Sequence, residues 1–271
     1  MLAILLSTFN GEEYLFEQLN SLFSQTYNEF VLFVRDDGST DSTVSIIKSF
    51  RNKYKNIVFF EDSLENIGAC KSYLWLLQNV EADYYMFCDQ DDVWVNNKIE
   101  LSINALKCEE IRSDKLAIIV HTDLIVTDKK LNVISNSLWD NDNTNPLRIT
   151  RKYLFLVNYL TGCTMLINKK ARDISITSNE TAIMHDFWVG ICVEASNGVI
   201  LSLSTPTVFY RQHERNVIGS KQKKSQHPIL QRYLHIPNFR YSYMLYKMIN
   251  SRYNISWYTY IKHRICFYLT R

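Results

Sequence analysis

Apolar segments of strand length alternate with helical segments over the first 88 residues, and this order constrains the fold more than any other feature of the chain. Strands that alternate with helices form a mostly parallel sheet with helices on both faces. The predicted strands are Leu2–Ser7, Phe30–Arg35, Asn56–Glu61 and Ala82–Cys88, and the predicted helices are Glu12–Gln25, a segment from the turn Gly38–Asp41 through Phe50, and Cys70–Asn79. The sequence therefore predicts an α/β fold built on such a sheet.

The pattern becomes mixed in the second half of the chain. The predicted elements are strands at Leu116–His121 and Gly162–Ile167, a helix at Ile183–Glu194, a flexible loop at Asn136–Pro146, and two short strands within Val199–Tyr210 that Pro206 separates. From Pro228, aromatic and basic residues recur at helical spacing, which predicts a helical C-terminal tail.

Length and composition favour one globular domain with a tail. With 271 residues, of which 21% are charged, the chain can bury a full core and is too polar for a polytopic membrane protein. No apolar run approaches the about 20 residues that cross a bilayer, and Met1–Ser7 is too short for the apolar part of a secretory signal, so a cytoplasmic location is expected. The cysteines lack CxxC pairs and ligand spacing, so buried thiols are expected at Cys70, Cys88, Cys108, Cys163, Cys192 and Cys266.

The charges are divided unevenly along the chain. Residues 215–271 hold 11 of the 30 Lys and Arg residues and none of the 28 Asp and Glu residues, so a basic tail follows an acidic body. Such a tail either binds an anionic partner or packs on the core with its charges in solvent. Aromatic and basic side chains together favour the surface of an anionic membrane, and nucleic acid is not the expected partner.

Three carboxylates stand within four residues at Asp89, Asp91 and Asp92, directly after a predicted buried strand. Their mutual repulsion is relieved when a cation joins them, and Mg²⁺ or Mn²⁺ typically bridges such carboxylates to substrate phosphates. The alternative is a solvated acidic loop that caps the next helix. The carboxyl end of a strand is where open α/β sheets bind ligands, which favours the metal site.

A second acidic segment, Asp36–Asp41, follows the second predicted strand. Turn and capping chemistry explains Gly38, Ser39 and Asp41, but it does not require two adjacent aspartates. A carboxylate at this place can accept the imide N–H of uracil or thymine and reject cytosine.

Several short motifs follow one another in a fixed order. They are Leu5–Asn10 with Glu12, Gln25–Thr26, Asp36–Asp41, Asn66–Gly68, Asp89–Asp92, Gly162–Thr164 and His185–Trp188. In this order they resemble the motifs of family 2 glycosyltransferases with the GT-A fold, over about the first 220 residues. The segments Cys88–Trp94 and Tyr210–Asn216 are similar to the rhamnosyltransferase-like branch of enzymes that build bacterial surface polysaccharides.

The resemblance implies a fold, a reaction and a division of the chain. It implies a GT-A catalytic domain at residues 1–220, with a nucleotide-sugar-binding half (1–115) and an acceptor-binding half (116–220), before a basic helical tail at 221–271. It further implies inverting transfer of a sugar from a UDP- or dTDP-sugar to the hydroxyl of a saccharide or lipid-linked saccharide, with Mn²⁺ or Mg²⁺ as cofactor, at the inner face of the membrane.

The resemblance also assigns roles to individual residues. The donor residues are Ser7, Phe9, Glu12, Asp37, Lys71 and Asp89; the metal ligands are Asp91 and His213; the acceptor residues are Gly162, Cys163 and Trp188. Of these, Asp37 is expected on the base and Asp89 at the ribose. Asp186 is expected to be the catalytic base, an aspartate with an ordinary pKa near 4 that takes the proton of the acceptor hydroxyl.

Two other classes of function share parts of this pattern. A magnesium-dependent phosphotransferase would use an aspartate cluster, but the chain lacks its phosphate cradle, since Asn66–Gly68 has the glycine pattern of neither a dinucleotide site nor a Walker A loop. A catalytically inactive module that binds nucleotide sugars or nucleic acid is the other alternative, and the presence of both Asp91 and Asp186 argues against it.

Overall fold

The fold is described by a computed structural model, which covers residues 1–62, 64, 66–113, 116–141, 145–147, 156, 158–214 and 239–269. The strands are β1 (Leu2–Thr8), β2 (Phe30–Asp36), β3 (Ile57–Phe60), β4 (Tyr84–Cys88), β5 (Val93–Trp94), β6 (Ile118–Thr127), β7 (Val133–Ser135), β8 (Met165–Asn168) and β9 (Val199–Arg211). The helices are α1 (Leu15–Phe23), α2 (Thr43–Lys53), α3 (Ala69–Asn79), α4 (Lys98–Arg112), α5 (Leu138–Asn141), α6 (Lys169–Ser175), α7 (His185–Ala195), α8 (Phe239–Tyr253) and α9 (Trp257–Leu269).

These strands form one sheet in the order β3-β2-β1-β4-β8-β6-β9-β5, with β7 paired to β6. The first four strands along the chain are parallel, as the alternation of strands and helices predicts. Strand β8 pairs antiparallel with both of its neighbours, and β5 and β7 are also antiparallel to their partners. The sheet is therefore mixed rather than mostly parallel, because short apolar strands such as β8 carry no sequence signal for their direction.

Helices cover both faces of the sheet, as predicted. One hydrophobic cluster lies between the sheet and α1, α2 and α4, which bury the leucines and isoleucines that recur at helical spacing. The other cluster contains α3, α7 and the C-terminal helices. Trp188 and Tyr85 lie fully buried in this second cluster.

The C-terminal helices are part of the core. Met248 and Ile249 of α8 and Tyr260 of α9 are fully buried in the second hydrophobic cluster, and the Arg252 guanidinium lies 4.6 Å above the Trp188 ring. The described part of the tail is thus not a segment that hangs free of the domain. The predicted boundary at residue 220 falls outside the described residues.

Three local predictions are corrected. Strand β9 runs through Pro206 as one strand, because a shift in its register against β6 accommodates the missing N–H. The predicted loop Asn136–Pro146 contains helix α5, whose Trp139 is buried 5.4 Å from the His121 ring. Among the cysteines, Cys108 is exposed and Cys70 partly exposed, whereas the side chain of Cys266 lies outside the described residues.

Within the described ranges, none of the helices combines the length and the apolar character that a membrane span requires.

Candidate functional site

The candidate site lies where three neighbouring strands end. In the parallel pairing, Thr8 lies opposite Asp36, and Leu6 lies opposite Cys88. The segments that follow β1, β2 and β4 therefore meet at the same edge of the sheet, the edge at which open α/β sheets bind ligands.

Asp37 is buried in a set of hydrogen bonds just beyond β2. Its Oδ1 accepts from Nη1 of Arg35 at 2.6 Å and from the Ile67 N–H at 2.9 Å, and its Oδ2 accepts from the Gly68 N–H at 2.8 Å. A carboxylate has about four acceptor directions, so these bonds to described residues leave one on Oδ2. The carboxylate is thus fixed in place with one direction for a further donor.

Arg35 connects Asp37 to Ser7. The guanidinium of Arg35 is fully buried, pairs with Asp62 at 2.8 Å and donates to Ser72 Oγ at 3.0 Å. Ser7 donates to the same Ser72 hydroxyl at 2.7 Å. Two of the predicted donor residues, Asp37 and Ser7, are therefore joined through one buried arginine.

Three further predicted donor residues lie around this edge. Phe9 exposes 45% of its surface, and its backbone is hydrogen-bonded to the Gln90 side chain at 2.9 and 3.0 Å. Lys71 is exposed in the first turn of α3. Glu12 accepts from the Ser42 N–H at 2.9 Å and so holds the N-terminus of α2. Their contact with a donor stays a prediction.

Tyr73 holds Asp89 at the end of β4. Its hydroxyl donates to the Cys88 carbonyl at 2.6 Å and to the Asp89 carboxylate at 2.9 Å. Burial, together with the negative charges of Asp91 and Asp186, raises the pKa of Asp89 to about 7. Asp186 is therefore within electrostatic reach of the acidic cluster.

Asp91 and His213 form the most accessible pair of metal-ligating groups at this edge. Oδ2 of Asp91 lies 2.8 Å from Nε2 of His213. Two ligand atoms at right angles on a Mg²⁺-like ion, with bonds of about 2.1 Å, lie about 3 Å apart. This spacing is that of a hydrogen bond and is also compatible with two ligands of one divalent cation, and the metal role of the pair stays a prediction.

A second set of donor atoms lies deeper in the protein. Asp89, Asp92 and Cys163 each place one such atom within 4.8 Å of the others, and Oδ2 of Asp92 has no hydrogen-bond partner among the described residues. Burial raises the pKa of Asp92 and of the Cys163 thiol well above their usual ranges. A protonated thiol is a poor ligand for Mg²⁺ or Mn²⁺, so the pair of Asp91 and His213 fits these ions better.

Asp186 is fixed in the first turn of α7. Its carboxylate accepts from the N–H of Phe187 at 2.6 Å, from Nδ2 of Asn158 at 3.1 Å and from the N–H of Gly162 at 3.2 Å. Burial raises its pKa to about 6, which corrects the expectation of an ordinary aspartate. The group is mostly ionised at pH 7 and is a stronger base than a solvated aspartate.

The structure buries two of the predicted acceptor residues, Trp188 and Cys163, and their contact with an acceptor stays a prediction. Trp188 is fully buried, and its indole N–H donates to the Ser175 carbonyl at 2.7 Å. Cys163 is also fully buried, beside Asp92. Gly162 is buried as well, and a Cβ there would lie 2.5 Å from Nε2 of His185, which explains the glycine by close packing.

Several residues that organise the site were not predicted from the sequence. Tyr73 and Asn158 donate to the carboxylates of Asp89 and Asp186, and Arg211 contacts the acidic cluster from β9. Lys98 is fully buried, and burial lowers its pKa to about 8. These residues lie in ordinary helix and strand patterns, and only the position of Arg211, two residues before His213, gave a signal.

Comparison with known proteins agrees with this geometry. The sequence matches the family described as Glycosyl transferase family 2 over residues 3–175. The dTDP-rhamnosyl transferase RfbG of Shigella flexneri is 27% identical over 226 residues, which cover 79% of this chain and 74% of that protein. The chain spans between 17% and 56% of the lengths of several other curated relatives.

Two solved structures share the fold. The structure of Staphylococcus aureus TarS 1-349 in complex with UDP has a TM-score of 0.57 at 22% identity, covering 78% of this chain and 60% of that one. The mannosyltransferase PcManGT of Pyrobaculum calidifontis, in complex with GDP-Man and Mn²⁺, has a TM-score of 0.57 at 14% identity, covering 94% of this chain and 64% of that one.

The predicted fold and the resemblance are both confirmed. The solved neighbours are GT-A glycosyltransferases, and their likeness extends over most of the chain. The family match covers more than half of the residues and includes the ends of β1, β2 and β4. The chain adopts the GT-A fold and belongs to glycosyl transferase family 2, a family of glycosyltransferases.

Proposed function

We propose that this chain transfers a sugar, with inversion, from a UDP- or dTDP-sugar to an acceptor hydroxyl during assembly of a bacterial surface polysaccharide. The observation that carries the proposal is the convergence of Asp37, Asp89, the pair of Asp91 and His213, and Asp186 at one edge of the sheet. The relative RfbG is named a dTDP-rhamnosyl transferase, which supports rhamnose as the sugar and dTDP as the carrier.

Recognition of the nucleotide is assigned to Asp37. The remaining acceptor direction on Oδ2 suits the imide N–H of uracil or thymine, which cytosine lacks. The complex of TarS with UDP supports a uridine-type donor for this fold. Phe9 is exposed just after β1, next to the end of β2 that Asp37 follows, and it offers an aromatic surface to the base.

Asp91 and His213 are proposed to hold Mn²⁺ or Mg²⁺. The 2.8 Å spacing of their donor atoms and the accessibility of Asp91 support this assignment, as does the Mn²⁺ in the PcManGT complex. When bound, the cation supplies positive charge against the diphosphate that leaves. Asp89, held by Tyr73, is proposed to accept hydrogen bonds from the ribose hydroxyls.

Asp186 is proposed to be the general base. Its carboxylate takes the proton of the acceptor hydroxyl while the hydroxyl oxygen forms a bond to the anomeric carbon, and the bond from that carbon to the diphosphate oxygen breaks. The three hydrogen bonds from Phe187, Asn158 and Gly162 fix the direction of the carboxylate. The acceptor is proposed to be a saccharide or lipid-linked saccharide.

The role of Asp37 is tested by the variant Asp37→Asn. We expect affinity for UDP or dTDP to fall by about tenfold or more, since a hydrogen bond to a charged group contributes about 1.5–3 kcal/mol, whereas kcat at saturating donor changes little. Binding is measured by thermal shift and calorimetry on the full chain, with CDP as the nucleotide that should bind weakly, because cytosine lacks the imide N–H.

Asp62→Asn is the matched control, because Asp62 pairs with the same Arg35 on its other side. This variant should lose similar stability and keep its affinity for UDP. Equal loss of affinity in both variants, or equal affinity of the wild type for CDP, would contradict the assignment of Asp37.

The exposed side of the C-terminal helices is proposed to contact an anionic membrane. The inner side of α8 and α9 is core, but Tyr258 exposes 77% and Ile265 53% of their surfaces, and Lys262 is exposed between them. On α8, Met244 and Lys247 are exposed one turn apart. Cations beside aromatic and aliphatic groups suit a lipid headgroup region.

Vesicle binding tests this surface without deleting the helices. Lys247→Gln and Lys262→Gln should each weaken binding to phosphatidylglycerol vesicles about fivefold, since a lysine near an anionic surface contributes about 1 kcal/mol. Lys48→Gln, exposed on α2 across the sheet, should have no effect. Vesicle affinity that does not change with phosphatidylglycerol content, or tighter binding to RNA than to vesicles, would contradict the membrane proposal.

A further inference from the structure

Arg211 is the last residue of β9 and is 2% exposed beneath the acidic cluster. Its backbone N–H donates to Oδ1 of Asp92 at 3.1 Å, and its Nε donates to the carbonyl of Asp91 at 2.8 Å. One residue thus binds both the backbone and the side chains of the loop that carries the proposed metal ligand Asp91.

The other side of the guanidinium contacts two further segments. Nη1 donates to the carbonyl of Lys129, in the turn between β6 and β7, at 2.7 Å, and Nη2 pairs with Glu17 of α1. The group also lies 4.5 Å above the ring of Tyr14, whose ring centroid is 4.9 Å from that of His213. Arg211 is therefore in contact, directly or through one ring, with both members of the pair of Asp91 and His213.

We infer that Arg211 is a positioning residue that sets the separation of Asp91 and His213 and thereby the affinity of this pair for a divalent cation. This inference rests on the proposed function, which assigns the cation to that pair. The planar guanidinium donates in three directions at once while its face packs on Tyr14, whereas a lysine ammonium cannot meet all of these partners from the same place. In Arg211→Lys the loop and the histidine are no longer tied to one rigid group.

Arg172 provides a matched control far along the chain from these residues. It is also buried, donates to the carbonyls of Leu77 and Gln78 at 2.8 and 3.0 Å, pairs with Glu81, and lies 5.9 Å from the ring of Tyr85. Its replacement by lysine removes the same kind of packing and hydrogen bonding without touching the acidic cluster. If the loss of a buried, rigid guanidinium were enough by itself to weaken Mn²⁺ binding, Arg211→Lys and Arg172→Lys should both show the loss.

Binding of Mn²⁺ to the full chain, measured by electron paramagnetic resonance of the free ion, tests the inference. Partners that orient metal ligands typically change metal affinity by about 10–100-fold, so Arg211→Lys should lose affinity by that factor while Arg172→Lys binds Mn²⁺ like the wild type. Unchanged affinity in Arg211→Lys, or an equal loss in Arg172→Lys, would overturn the inference.

Two further samples separate this inference from the metal assignment itself. If the wild type has no Mn²⁺ site that Asp91→Asn removes, the assignment of the cation to Asp91 and His213 fails, and the inference falls with it. If Arg211→Lys does not fold, Glu17→Gln tests the inference instead. The Glu17 side chain is exposed and, among the described residues, pairs with Nη2 of Arg211 alone. A severalfold loss of Mn²⁺ affinity in Glu17→Gln supports the positioning role, and wild-type affinity contradicts it.

Discussion

Asp186→Asn is expected to lower kcat by about 10²–10⁴-fold and to leave donor affinity close to that of the wild type, because general base catalysis acts on the chemical step. The asparagine amide keeps the shape of the group and can accept from Gly162 or Asn158, but it cannot take a proton from the acceptor. Turnover and donor binding are measured separately, by single-turnover kinetics and by calorimetry with UDP or dTDP.

The pH profile gives a second measurement of the same group. Burial raises the pKa of Asp186 to about 6, and the base must be ionised to work, so wild-type kcat should fall as the pH decreases through about 6. This fall of kcat at low pH should be absent from the residual activity of Asp186→Asn. Asp173→Asn, on the exposed side of α6, should change neither rate nor profile. A parallel fall of donor affinity and turnover in Asp186→Asn would make Asp186 a binding or folding residue instead.

Asp91→Asn is expected to remove metal-dependent transfer and to reduce Mn²⁺ affinity by more than about 100-fold, since even residues that only orient metal ligands change affinity by about 10–100-fold. The pair with His213 is then left with one neutral ligand and a weak amide oxygen. Mn²⁺ binding and the stabilisation of the protein by UDP with and without Mn²⁺ are the measurements.

Asp83→Asn is the control for Asp91→Asn. Asp83 directly precedes β4, at the opposite end from Asp91, and pairs with the N-terminal ammonium. Its loss removes a carboxylate at the far edge of the sheet, so Mn²⁺ affinity should not change. Full activity of Asp91→Asn, or of the wild type in excess EDTA, would remove the metal from the proposed function.

The parallel half of the sheet was predictable because its signals are local. The apolar run of β1 and the helical spacing of Leu15, Leu19 and Leu22 both follow from burial on a regular element. The direction of β8 was not predictable, because its four residues are buried on both faces and pair with strands distant in sequence. The same limit applies to β9, where a register shift accommodates Pro206.

Within the candidate site, the carboxylates were predictable and their surroundings were not. Asp37, Asp89 and Asp91 follow strands, and their place at the sheet edge follows from the order of those strands. Trp188 lies in the core, and this was not predictable, since an aromatic residue near an aspartate has the same sequence whether it faces a ligand or the core. Contacts that span the chain, such as Arg211 with Asp91, leave no trace in local sequence.

The basic tail shows how composition alone left two outcomes open. An acid-free segment is compatible both with a free anchor and with helices that pack on the domain. Met248 and Tyr260 lie in the core, and the Arg252 guanidinium packs on the ring of Trp188, so part of the positive charge of the tail is held against the domain. Among the tail residues that the structure describes, the outward ones remain for the proposed membrane contact.

The most direct test of the account is release of nucleoside diphosphate from nucleotide sugars by the full chain. UDP-GlcNAc, UDP-glucose, dTDP-rhamnose and GDP-mannose are each incubated with Mn²⁺, and the released diphosphate is quantified by chromatography. We expect release of UDP or dTDP from at least one of the uridine and thymidine donors and slow release from GDP-mannose. This release should be lost in EDTA and in Asp186→Asn. Release that EDTA and Asp186→Asn leave unchanged, or no release from any of the uridine and thymidine donors, would contradict the account.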